Sequence, residues 1–145
     1  MSEKSMIESI LRDADVDLRS FREPVLYTNL LFLVNSLFWY AAGHSGIALV
    51  VMITGFASIG YHLPRESMKL THDVDVCCAH IALLCTLYAI YPFASAFQWM
   101  LLISILGAGL YTKTLARRQN YEYWHTIWHV FVFLGQALMA YIAFT

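Results

Sequence analysis

Two pairs of residues in this 145-residue chain have types and spacing suited to chemistry. His125 and His129 form H-x-x-x-H, and side chains four apart on a helix project from one face, so both imidazoles can reach a single ion. Ser58 and His62 repeat that spacing, with Ser58 one turn deeper in its hydrophobic run. Asp73 opens another such run, where a carboxylate needs a cation, a hydrogen-bond donor or water. Each has a plainer reading as well. Histidines beside Tyr121, Tyr123, Trp124 and Trp128 fit an interfacial aromatic belt. Ser58 could bond its own helix backbone, and Asp73 could be an N-cap. Asp75 is a reserve candidate that also suits a first helical turn. His80, seven positions past Asp73, shares its face and reads first as a hydrogen-bonded core histidine. His44 and His72 fall in loops.

The elements that would position these residues follow from charge and hydropathy. The chain is 59% hydrophobic and 13% charged, against roughly 25% charged in an ordinary soluble domain, so its surface must face lipid. No formal charge lies between Glu23 and Arg65, and a bilayer core takes about 20 apolar residues per helix. That run accommodates span one, 25–42, and span two, 46–62, with a reversal at Gly43-His44-Ser45-Gly46. A second uncharged run breaks at Tyr91-Pro92-Phe93-Ala94-Ser95, where proline disfavours helix in the residue before it. Span three is therefore 74–91 and span four 95–112. The last stretch, 123–145, is span five.

Orientation offers an independent check. Lys4, Arg12, Arg19 and Arg22 precede span one, Arg65 and Lys69 follow span two, and Lys113, Arg117 and Arg118 follow span four. All nine basic residues thus fall on one side, which the positive-inside rule makes cytoplasmic. The N-terminus is then inside and the C-terminus outside. Ile7, Ile10, Leu11, Ala14, Leu18 and Phe21 recur at helical spacing in an otherwise polar segment without the apolar core of a signal peptide. The expected architecture is an all-α, multi-pass integral membrane protein. Residues 1–23 form a cytoplasmic amphipathic helix, and residues 24–145 form a compact five-helix transmembrane domain. A net charge of -1 argues against nucleic acid as a partner. Cys77, Cys78 and Cys85 contain no C-x-x-C and read as packing residues.

With that topology His62, Asp73, Asp75, His125 and His129 all lie near the cytoplasmic surface. Taken in order, Ser58-Ile59-Gly60-Tyr61-His62, then Asp73 and then His125-x-x-x-His129 resemble the CREST superfamily of membrane hydrolases. That group includes alkaline ceramidases, adiponectin-receptor-like proteins and post-GPI-attachment proteins. The resemblance implies zinc on His62, His125 and His129. It implies Asp73 as the group that orients or deprotonates the metal's water, and Ser58 as a partner of that water or of the developing oxyanion. The implied reaction is hydrolysis of a membrane lipid amide or ester. The His-to-Asp spacing is closer to the ceramidase and transmembrane-protein-8-type branches than to the adiponectin receptors, although the acidic N-terminal calcium motif of ceramidases is not evident. Family members commonly have seven spans; fewer helices imply a more open substrate cavity or a homo-oligomer.

Two other classes stay open at this point. A non-catalytic receptor or scaffold would use zinc structurally, inside a closed four-ligand shell that includes His80 or Asp73. A haem-binding redox protein would use histidines on facing helices as axial ligands, with Ser58 and Asp73 dispensable.

Overall fold

The computed structural model describes residues 24–63 and 69–145; the expected amphipathic segment, 1–23, lies outside them. The described chain forms five helices and no strand: α1 (Pro24–Ala41), α2 (Ser45–His62), α3 (Lys69–Ile90), α4 (Ala96–Ala116) and α5 (Tyr121–Phe144). Four of these are long and apolar enough to cross a membrane, namely α2, the Leu70–Ile90 part of α3, α4 and α5, which suggests a membrane protein. The helix outside that group, α1, matches α2 in length at 18 residues. Its apolar run is interrupted by Asn29 and Asn35, both fully buried. Large apolar side chains such as Leu37, Leu84, Phe97 and Ile103 are exposed at 65%, 66%, 69% and 65%. A soluble monomer rarely presents so much apolar surface, whereas lipid solvates it.

Local chemistry explains where the helices end. The reversal after α1 is a Schellman motif. His44 N–H donates to Trp39 O at 3.0 Å, Gly43 N–H donates to Tyr40 O at 3.0 Å, and Gly43 has φ +83°. A side chain at position 43 would strain that left-handed residue. Ser45 and Gly46, expected in the turn, already belong to α2. Ser95 caps α4 with a complete capping box, accepting from Gln98 N while the Gln98 side chain accepts from Ser95 N. Asn120 caps α5 by accepting from Tyr123 N at 3.1 Å. The largest boundary difference is at α3, which begins at Lys69 instead of 74. Asp73 is therefore a helix-interior residue, and the N-cap reading of it does not hold.

The helices pack in an uneven ring. α1 lies against α2 and α5, α2 against α3, and α4 against α5, with lighter contact between α3 and α5. Although only residues 91–95 separate them, α3 and α4 do not pack against each other. The tightest seam is α1 on α2: a Cβ at Gly55 would sit 2.9 Å from Phe32 Cβ, so glycine lets the two backbones approach. At the end away from His62, the apolar core gathers Trp39, Val51, Ile90, Leu102, Met139 and Ile142.

Candidate metal centre

The three histidines named from the sequence converge. His62 is the last residue of α2, while His125 and His129 occupy successive turns near the start of α5. Their rings lie 4.8 Å (62 to 125), 5.4 Å (62 to 129) and 4.7 Å (125 to 129) apart between centroids. Nε2 of His125 is 3.2 Å from Nε2 of His62. Each ring offers one nitrogen such that all three nitrogens lie within 4.8 Å of one another, so the trio could hold a metal ion. Metal–nitrogen bonds of about 2.0–2.1 Å in tetrahedral geometry place neighbouring donors about 3.3 Å apart. The His62–His125 separation is already that of two ligands on one ion.

Burial separates this arrangement from an interfacial belt. His62, His125 and His129 are 5%, 9% and 4% exposed, so they face inward and do not anchor the helix at a surface. Aromatic rings hold them there: Tyr121 stacks on His125 at 4.8 Å and 18°, and Phe32 meets His129 edge-on at 6.1 Å. Thr28 Oγ1 on α1 lies 3.2 Å from Pro24 O and 3.1 Å from His129 Nδ1; a hydroxyl that donates to Pro24 O accepts the ring N–H of His129. The Nε2 lone pair of His129 is then left for an ion, the usual division of labour in a ligating imidazole.

The carboxylate that shares a cavity with His125 and His129 is Asp75, and the expected catalytic Asp73 does not line it. The face of α3 that lines the central cavity carries His72, Asp75, Val76, Ala79, Ala82 and Leu83, with His80 at its edge. Asp73 falls just past that edge, exposed, with Oδ1 3.4 Å from His72 Nδ1. Asp75 is partly buried, with Ser58, itself buried on α2, as a side-chain neighbour. Ser58 Oγ also lies 3.0 Å from Oδ1 of Asn29, whose buried Nδ2 has no partner among the described residues. Oxygen and nitrogen of an amide are isosteric, and the network decides between them. With the amide turned so that Nδ2 faces Ser58, Asn29 donates to Ser58 Oγ and the hydroxyl donates to Asp75 in one relay. His80 also lines the cavity rather than the core, with its Nδ1 2.6 Å from Val76 O.

These groups border a cavity of about 380 Å³. Ser58, Asp75, His125 and His129 lie on its wall, and His62 does not. Its remaining lining is largely apolar and comes from both α3 and α4, including Leu83, Leu106 and Leu110. The backbones of those two helices stay apart, so the cavity is flanked there by side chains alone. Asp75 was the reserve candidate from sequence, and the helical stripe 72, 75/76, 79, 83 would have favoured it over Asp73 had the start of α3 been known. Thr28 carried no recognisable signal, because its role depends on α1 lying against α5. Comparison with family models, curated proteins and solved structures returned no match to the chain.

Proposed function

We propose that this chain is an intramembrane hydrolase that holds zinc on His62, His125 and His129 and cleaves a lipid amide or ester at the cytoplasmic leaflet. One observation carries the reading: three imidazoles from two helices converge, and two of them line the same cavity as a carboxylate and a hydroxyl. When bound, zinc supplies Lewis acidity and lowers the pKa of coordinated water to about 7. Three neutral histidines would hold the ion and leave it able to take a water, whereas a purely structural site would add a fourth protein ligand. Asp75, in place of Asp73, orients the water and takes its proton, then delivers a proton to the leaving amine or alkoxide. Ser58 holds Asp75 in place through its one hydroxyl proton. Asn29 fixes Ser58 from behind.

The substrate class follows from depth and access. The reacting groups lie one to two turns inside the helix ends that carry Lys69, Lys113, Arg117 and Arg118, a basic end that belongs on the cytoplasmic side. Acyl carbonyls occupy that depth in a bilayer, and apolar side chains of α3 and α4 line the cavity that would receive the chain. The histidine rings sit too close together for a haem macrocycle to lie between an axial pair, which disfavours the redox reading.

Metal analysis of the purified chain, followed by a screen of lipid amides and esters, tests the proposal. About one zinc per chain is expected, together with hydrolysis that disappears on chelation. Absence of zinc binding at micromolar metal would end the proposal, and zinc bound without hydrolysis of any lipid would favour the scaffold.

A further inference from the structure

The mouth of the cavity carries two cations that the hydrolytic chemistry does not use. Lys113, in the last turn of α4, and Arg117, the residue that ends it, are four apart and both line the cavity. Neither forms an ion pair with a carboxylate among the described residues, although Asp75 and His129 lie within electrostatic reach of Lys113. Lys113 Nζ sits 5.2 Å from the centroid of the Trp128 ring, which also lines the cavity, so a cation–π contact steers the ammonium over the mouth. Arg118 is equally exposed at the same helix end but is not part of the lining.

Deeper in, the lining changes character. Leu106 and Leu110 continue one face of α4 inward from Lys113, and Val76, Ala79 and Leu83 face the same space from α3. A ligand that satisfies both zones has an anionic end of about two charges and an aliphatic tail. Two adjacent cations, one of them a guanidinium able to make paired hydrogen bonds, suit a phosphate monoester better than a carboxylate or a zwitterion.

We propose that the cavity binds an amphiphile ending in a phosphate monoester, with its phosphate on Lys113 and Arg117 and its chain running between α3 and α4. This deepens the hydrolase reading, since a phosphate at that level places the acyl carbonyl below it, toward His125, His129 and Asp75. Binding itself does not depend on catalysis, so the two ideas can fail separately.

The test measures binding to the full chain in phosphatidylcholine nanodiscs. The probes are oleoyl lysophosphatidate, oleoyl lysophosphatidylcholine and inorganic phosphate. The lysophosphatidate is expected to bind at least about tenfold more tightly than its choline counterpart, and equimolar inorganic phosphate should not displace it. K113Q/R117Q should bring the two lysolipids within about twofold of each other, while R118Q and the charge-keeping K113R/R117K retain the preference. Helicity by circular dichroism shows that each variant is folded. The preference should also persist in H125A and in chelated wild type, where hydrolysis is lost. Equal binding of the two lysolipids by wild type would overturn the proposal, as would an R118Q loss equal to that of K113Q/R117Q. Displacement by free phosphate, or disappearance of the preference with the metal, would overturn it too, because the anion would then be held without its chain or by the metal.

Discussion

Toward the end of the bundle away from the histidines, Trp39 Nε1 donates to Gln136 Oε1 at 3.1 Å, Gln136 Nε2 donates to Thr86 Oγ1 at 3.4 Å, and Thr86 donates to Leu83 O at 2.9 Å. That cluster ties α1, α5 and α3 together, and donors match acceptors along it. At the other end three imidazoles each bring one nitrogen within 4.8 Å of the others, and a hydroxyl and a carboxylate line the cavity with two of them. Both sites are buried and polar, so burial alone does not distinguish them. The chain of donors and acceptors is complete in the first, and its role is to hold helices in register. The second gathers three ring nitrogens from two helices within 4.8 Å of one another, which suits a group supplied from outside.

Perturbing each end should therefore have different consequences. The largest effect is expected for His129→Ala or His125→Ala, which should lose most of the bound zinc, seen by elemental analysis, and all measurable lipid hydrolysis. Helicity should be nearly unchanged; loss of helicity in step with the metal would mean that the centre is structural. Next, Asp75→Asn should lower turnover by about 10²- to 10⁴-fold, as removal of a proton-transferring group does, with zinc retained. Asp73→Asn should stay within about twofold of wild type, and a reversed order in the same assay would return the role to Asp73. Thr28→Val removes the acceptor that orients His129 and should weaken zinc binding by about 10- to 100-fold in a chelator competition. Unchanged affinity would show that the tautomer is set elsewhere. The smallest effect belongs to the opposite end. Gln136→Leu should cost about 1–2 kcal/mol in thermal or denaturant unfolding, with metal content unaltered. A change in metal content there would mean that the two ends are coupled.

The contrast also shows what could be read without coordinates. Five helices, their approximate limits and the gathering of His62, His125 and His129 at one end followed from uncharged runs, the one-sided basic residues and i to i+4 spacing. These are local or additive signals. The choice between Asp73 and Asp75 depended on where α3 starts, and boundaries are the least legible feature of a helix. Beginning at Lys69, the helix turns Asp73 outward and Asp75 in. Thr28, Asn29 and the Trp39–Gln136 bond involve residues about 30 to 100 positions apart in sequence that only the packing of α1 against α2 and α5 brings together. Nothing periodic announces such pairs.

The gap between α3 and α4 has a practical consequence. The cavity is lined by side chains of both helices, whose backbones stay apart. On the proposed reading, an extraction detergent entering there would take the place of the acyl tail and compete with substrate. Rates recorded in micelles and in vesicles of different chain length would then differ through the surrounding medium, with the polypeptide itself unchanged.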